Sequence, residues 1–365
     1  MASIKKFALR NWILTLLLFL LTILLLVHPV PPAHLIQHMD YRTLLSLAGL
    51  LMITRGLELS GFFDHLAGSW IQRAGDERQL AMLLILLTAL LSPILTNDVA
   101  LFITVPLTLS FQRILENDLD RIIVFQALAA NAGSSLTPIG NPQNLYVWHT
   151  WDIPFVGYMQ HMTPVFIISI GLLLLMTLLL FPRRELRIRA MQSPSLSPIL
   201  LISSLLMLLL FIVAMEKDWI WQGVLLILTT YLLLNRDAIT KADWSIILII
   251  ALMFIDFNLP ANIPAFRNML ENLPLNSPRE VLFTSAMVSQ IISNVPAAIL
   301  LSNFTHDYHA LSWGVNAGGN GLVLASLANI IALRMAGGRR IWLTFHIYSI
   351  PFFLITLAIL LFLIR

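Results

Sequence analysis

Apolar residues run along this chain in windows of about 18–22, the length needed to cross a hydrocarbon layer of roughly 30 Å. The windows Trp12–Val27, Leu44–Ser60, Ile122–Trp148, Pro164–Phe181, Ile199–Met215, Trp219–Leu234, Trp244–Pro260, Leu311–Leu333 and Ile341–Ile364 predict nine crossings. Two of them are interrupted. From Asn131 to Asn144 the chain reads Asn-Ala-Gly-Ser-Ser-Leu-Thr-Pro-Ile-Gly-Asn-Pro-Gln-Asn, and two Gly and two Pro cannot sustain a helix there. In the later window Asn316-Ala317-Gly318 repeats Asn131-Ala132-Gly133 after 185 residues, and Asn329 falls where Asn144 does. Gly319, Asn320 and Gly321 again break the run between them. Backbone groups freed inside a bilayer must be buried in protein or line a wet cavity. Helices broken at matching places in two halves point to a transporter's solute site.

Two further apolar stretches, 80–113 and 280–303, carry polar breaks at Thr96-Asn97-Asp98 and Ser293-Asn294-Val295-Pro296. Arms of only about 10–16 residues suit a hairpin that enters the membrane and returns better than two crossings. Thr96-Asn97 and Ser293-Asn294 lie 197 residues apart, with Ser92 matching Ser289 and Ala100 matching Ala297 in the same register. Asp40-Tyr41 precedes the second window as Asp243-Trp244 precedes the seventh. Five crossings separate the starts of the two units, an odd number, so the second unit is upside down. The expected fold is an all-α polytopic membrane protein of two inverted repeats, with about nine spanning helices, two re-entrant hairpins and two broken helices. Its divisions are 1–181 (first repeat with the N-terminal span), 182–215 (linker and connecting span) and 216–365 (second repeat). Gly61–Ala74 and Asn262–Leu273 read as segments along the membrane surface.

Composition narrows the class. With 58% hydrophobic and 11% charged residues and a mean hydropathy of +0.84, a soluble domain would lack the polar surface to cover itself. Trp12–Val27 follows Lys5, Lys6 and Arg10 but precedes no small-x-small cleavage site, so it reads as a retained span. The absence of cysteine excludes disulfides and thiolate metal sites. The net charge of +3 is no nucleic-acid signal, because the basic residues sort by side instead. With the N-terminus inside, 16 of the 22 Lys and Arg fall in cytoplasmic segments and five outside, and Arg55 alone lies within a span. That bias predicts a multi-pass inner-membrane protein with a cytoplasmic N-terminus and an extracytoplasmic C-terminus. The nine His fall mostly in loops, without metal-ligand spacing.

Candidate solute- and ion-contacting residues follow from the breaks. On the hairpin tips they are Thr96, Asn97, Asp98, Ser293 and Asn294. In the broken helices they are Asn131, Gly133, Ser134, Thr137, Asn141, Asn144, Asn316, Gly318 and Asn320. Half-helix N-termini attract anions, and freed carbonyls and amide side chains suit cations. Asp98 is the one carboxylate on a predicted tip, and an ionised group at that depth needs water, a proton or a cation beside it. It is the candidate for proton or sodium coupling. Arg55 and Glu58 share a helix face three residues apart, and Asp256 lies late in the seventh span, as a charge relay or structural set. No metal site is expected beyond one for sodium, and no cofactor beyond H+ or Na+ as coupling ion.

The motifs Thr96-Asn97-Asp98-Val99-Ala100-Leu101-Phe102, Asn131-Ala132-Gly133-Ser134 with Thr137-Pro138-Ile139-Gly140-Asn141-Pro142-Gln143-Asn144, and Ser293-Asn294-Val295-Pro296-Ala297 resemble the ion transporter superfamily. More narrowly, they look like its arsenite-permease, sodium/proton-antiporter and citrate-transporter-like branch, which includes uncharacterised bacterial inner-membrane anion transporters. The resemblance covers roughly Asp40 to the C-terminus. It implies solute and coupling ion meeting where hairpin tips face unwound segments, elevator-type motion and homodimers. Dicarboxylate members carry Ser-Asn-Thr tips. Here the tips read Thr-Asn-Asp and Ser-Asn-Val, the first closer to the arsenite-permease pattern.

The leading expectation is therefore a secondary active transporter of a small inorganic or organic anion, coupled to H+ or Na+. A sodium/proton antiporter is the alternative, because few basic side chains are available to an anion. An intramembrane enzyme would need facing nucleophile and base or paired metal ligands, and neither Gly-x-Ser-x-Gly nor His-Glu-x-x-His occurs. A scaffold would need no polar breaks at mid-membrane. The chain has no nucleotide-binding Gly-rich loop, so the expected partners are a small ionic solute and the lipid bilayer, not ATP or nucleic acid.

Overall fold

The computed structural model describes residues 12–63, 65–66, 74–111, 119–186 and 196–364. Most of the surface segment expected over Gly61–Ala74, the end of the first hairpin at Arg113, and residues 187–195 of the expected 182–215 linker and connecting span lie outside these residues. The described chain is α-helical, its only β pairing being an isolated bridge between Asp76 and Glu185. The longer helices are α1 (Trp12–Val27), α2 (Tyr41–Leu59), α3 (Glu77–Leu95), α4 (Asn97–Ser110), α5 (Leu119–Ser134), α6 (Pro142–Thr150), α7 (Phe155–Leu180) and α8 (Pro198–Glu216). They continue with α9 (Ile220–Leu234), α10 (Ser245–Asn258), α11 (Pro278–Ile292), α12 (Asn294–Leu301), α13 (Tyr308–Gly318), α14 (Leu327–Ala336) and α15 (Arg340–Leu363).

Both hairpins form. α3 turns into α4 at Thr96 and α11 into α12 at Ser293, with nearly the same backbone at each tip (φ 77°, ψ 152° and φ 78°, ψ 157°). Residues other than glycine rarely hold these angles, which cost about 1–3 kcal/mol and persist where surrounding structure enforces them. The arms of the first hairpin are antiparallel neighbours, since Thr88, eight residues before the tip, donates to Thr104, eight after it, at 3.0 Å. The expectation of short arms fails for α3. Its 19 residues extend about 28 Å at 1.5 Å per residue, enough for a span, because Asp76 caps it at Gln79 N well before the apolar run begins. α7 also starts nine residues before the expected Pro164. Tyr158 and Met162 are buried in protein there, so this first part carries less of the lipid-facing signal that hydropathy detects. Five helices or helical segments among the described residues are long and apolar enough to cross a membrane: Glu77–Leu95, Phe155–Leu180, Pro198–Glu216, Ser245–Asn262 and Arg340–Leu363. α1 and α9, at 16 and 15 residues, are shorter.

Both expected broken helices are broken. α5 stops at Ser134 and α6 starts at Pro142, with a short 3-10 turn at Pro138–Gly140 between them. α13 stops at Gly318 and α14 starts at Leu327, with the 3-10 turn at Val323–Ala325, again 185 residues on. The aspartates before α2 and α10 act alike: Asp40 caps α2, accepting from Arg42 N and Thr43 N, and Asp243, one residue before the cap position of α10, accepts from Ser245 N.

α5 is the centre of the bundle, buried continuously from Ile122 to Ser134. A helix buried all round needs small residues where a neighbour's backbone comes close, and Ala127, Ala129, Ala130, Ala132 and Gly133 provide them. A Cβ at Gly133 would collide with the carbonyl of Ala89 in α3. At the matching Gly318 it would come within 2.9 Å of the carbonyl of Ala286 in α11, and Ala286 matches Ala89. Each hairpin therefore packs its entering arm on the glycine of its own broken helix.

This contact yields a test. Gly133→Ala should lower stability in detergent by about 1–3 kcal/mol, the usual cost of overpacking against backbone that cannot yield. Gly171→Ala in α7, where an added Cβ meets nothing within 4 Å, should leave thermal unfolding unchanged or slightly raised. Equal midpoints for the two variants would remove the close contact at Gly133.

Candidate functional site

Four helices begin at one place. The cleft between the two hairpin tips is lined by Asn97 and Asp98 at the start of α4, Pro142 and Gln143 at the start of α6, and Asn294 and Val295 at the start of α12. Ser326 and Leu327, the cap and first residue of α14, complete the set with Ser293. The first amides of a helix have no acceptor within it and carry its positive dipole end. The opposite wall is apolar: Ile246, Ile250 and Met253, one stripe of α10. Among the described residues, no Lys, Arg or His lines this cleft. It is nearly closed, with about 20 Å³ of free volume, room for one water rather than a solute.

Behind the cleft, asparagines join the two breaks in a twofold pattern. Asn131 donates to Asn329 Oδ1 at 2.9 Å, and its counterpart Asn316 donates to Asn144 Oδ1 at 2.7 Å. Asn131 Oδ1 accepts from Ser326 at 3.0 Å, and Asn316 Oδ1 accepts from Asn141 at 3.2 Å. Asn144 donates to the freed carbonyls of Ser134, Ser135 and Thr137 at 3.1–3.3 Å. Asn329 does the same for Gly319 (2.9 Å) and Leu322 (3.4 Å), the residues that match Ser134 and Thr137. All five asparagines are buried.

The tips dock onto these breaks. Asn97 donates to Asn131 Oδ1 at 3.1 Å, and Thr137 donates to Pro93 O at 2.5 Å. In the second half Ser293 donates to Ala325 O at 3.3 Å, and Gln290 bridges Gly318 O and Leu322 N, both at 2.7 Å. The sequence-expected residues thus divide. Asn97, Asp98, Ser293 and Asn294 line the cleft, with Thr96 buried at the tip beside them. Asn131, Ser134, Thr137, Asn141, Asn144 and Asn316 hold the unwound segments, and Gly133 and Gly318 seat the hairpins. Asn320 donates to Asn316 O at 3.3 Å while its own side-chain oxygen is buried without a partner among the described residues.

Asp98 is buried, and its Oδ1 has no hydrogen-bond partner among the described residues. Asp256 is also buried, with neither carboxylate oxygen partnered. It makes no ion pair with Arg55, which instead pairs with Glu58 at 2.5 Å. The histidines are less peripheral than their sequence positions suggest. His149 is buried in α6 against Thr43, and His161 in α7 meets His309 in the first turn of α13. Two polar cleft residues escaped the sequence reading, Gln143 and Ser326. So did Gln126, which ties α5 to the first hairpin through Thr88, Thr104 O and Thr108 at 2.9–3.4 Å. Its signal was present: one amide in an otherwise apolar buried run.

A sequence profile of the citrate transporter family matches residues 4–328. The inner membrane protein YbiR of Escherichia coli is 44% identical over 317 residues, 86% of this chain and 85% of that protein. An uncharacterized transporter of Methanocaldococcus jannaschii is 31% identical over 319 residues, 87% of each chain. A silicon efflux transporter of rice is 31% identical over 141 residues, 38% of this chain and 29% of that protein.

The twofold asparagine ties predict strong coupling. Asn131→Ala and Asn329→Ala should each destabilise the protein, and the double variant should depart from their sum by about 0.5–3 kcal/mol because they share one bond. Asn131→Ala with Arg267→Ala, a surface residue paired to Glu271, should be additive. The double-mutant cycle is read from unfolding in detergent, and additivity in both pairs would dissolve the network.

Proposed function

The chain belongs to the citrate transporter family, and from that premise we propose that it is a secondary active transporter carrying a small inorganic or organic anion together with H+ or Na+. One observation carries the reading: four helix N-termini open onto one cleft between the hairpin tips. Converging amides and dipole ends favour a negative solute without any basic side chain. Asp98 opposes the same solute, because its carboxylate faces the same small space. A proton or sodium ion on Asp98 removes that repulsion, so anion and cation bind better together than apart, which is the thermodynamic requirement for symport.

Solute entry requires the cleft to open. In the proposed cycle the two hairpins and broken helices, joined through Asn131, Asn144, Asn316 and Asn329, move as one body past α10, whose apolar stripe offers nothing for a polar solute to bind. That is an elevator-type cycle, with the N-terminus of the chain on the cytoplasmic side. A sodium/proton antiporter is the second reading, favoured because the described lining of the cleft holds a carboxylate and no basic residue.

Purified protein in sealed vesicles separates the two. With an imposed sodium or proton gradient, symport gives uphill uptake of an anion from a panel beginning with citrate. Antiport gives sodium-driven proton release with no solute added. Asp98→Asn should abolish gradient-driven accumulation while leaving solute exchange, since the amide keeps shape and hydrogen bonding but cannot titrate. Asp256→Asn should leave accumulation intact. The reverse pair of results would move coupling to α10 and defeat the assignment of Asp98.

A further inference from the structure

Where α3 begins and α7 ends, the chain builds a recess that no step of the proposed transport uses. Residues 75–77 run antiparallel to 184–186: Glu77 N donates to Arg184 O at 2.9 Å and Leu186 N to Gly75 O at 3.1 Å, on either side of the Asp76–Glu185 bridge. Arg78 Nε adds a bond to Phe181 O at 2.7 Å. This tie fixes the start of the first hairpin to the end of α7 and brings Arg78 and Arg183 to one opening of about 570 Å³. Among the described residues Arg78 uses Nε alone, on Phe181, and the other N–H groups of its guanidinium are enough to grip a phosphate. Asp76 also borders the recess, but its carboxylate caps α3 at Gln79 N, 2.8 Å away, and the two arginines outweigh it.

Below the arginines the lining turns apolar. Met82 and Leu83 on α3 and Leu178 on α7 line it beyond Gln79, and Leu90, Ile94 and Leu175 are exposed side chains farther along the same two helices. Cations at the rim of an apolar span with an apolar groove beneath them match one kind of ligand in both charge and shape. We propose that this recess binds an anionic phospholipid, with Arg78 and Arg183 holding the headgroup phosphate and the acyl chains lying along α3 and α7. The positive-inside pattern assigns this rim to the cytoplasmic leaflet, where anionic lipid attracts clustered basic residues. A lipid seated there braces the arm that leads to the Thr96 tip.

The test uses the full chain in neutral detergent, with thermal unfolding and native mass spectrometry as readouts. Phosphatidylglycerol should bind saturably and raise the unfolding midpoint, whereas phosphatidylcholine and inorganic phosphate should not. Arg183→Gln, which removes an exposed side chain, should weaken phosphatidylglycerol affinity about five-fold, and Arg78→Gln with Arg183→Gln should weaken it further. Should Arg78→Gln disturb folding through its bond to Phe181, Arg78→Lys keeps the charge and should retain most of the binding. Arg267→Gln should bind lipid as the unchanged protein does. Equal binding of phosphatidylcholine and phosphatidylglycerol overturns the proposal. So does an Arg183→Gln protein of unaltered affinity, and so does inorganic phosphate binding as tightly as the lipid, which would make this a plain anion site.

Discussion

A helix cannot stop inside an apolar medium unless something accepts and donates in place of its lost bonds. This chain stops two helices there, and the same side chain solves the problem twice. Asn144 reaches back to the carbonyls left by α5, and Asn329 reaches back to those left by α13. An amide suits the task because it donates to freed carbonyls with its nitrogen while its oxygen still accepts. In each case that oxygen accepts from the asparagine of the other repeat. Satisfying the backbone and joining the two halves are thus one act. The hairpins then dock on breaks that are already rigid, and four helix starts are left facing the cleft.

Much of this was legible because the rule being broken was a strong one. Pro138, Gly140 and Pro142 inside an apolar run announce an unwound segment whatever the tertiary context. The matched Asn-Ala-Gly triplets placed its partner, since a close helix approach needs glycine at the same depth in both halves. Less legible was the division of labour. In sequence, Asn97 and Asn131 are the same chemistry beside the same kind of break, yet Asn97 lines the cleft and Asn131 stands behind it. Which way a side chain points in an irregular segment depends on the other repeat, 185 residues away, and no local pattern encodes it. Helix starts were lost for a related reason. Hydropathy detects lipid-facing residues, and the first turns of α3 and α7 face protein and the rim instead.

The repeats depart from symmetry in a consistent direction. Asp98 on the first tip corresponds to Val295 on the second, so the charge enters the cleft from one side only. Gln126 and Thr104, which tie the first hairpin to α5, correspond to Leu311 and Leu301. The first hairpin is therefore fastened to α5 along its length by amide and hydroxyl bonds, whereas the second is tied near its tip through Gln290 and Ser293 and just past its outgoing arm, where Ser302 bonds Tyr146 at 2.7 Å and Asn303 bonds Asn258 at 3.0 Å. In the proposed coupling role the carboxylate is charged for part of the cycle, and a charge in a dry cleft needs a well-fixed support, because displacement would leave it facing apolar side chains. Carrying the charge on the fastened hairpin keeps it beside the helix N-termini through the proposed cycle. The second tip carries Val295 in that place, so it presents no charge to the cleft.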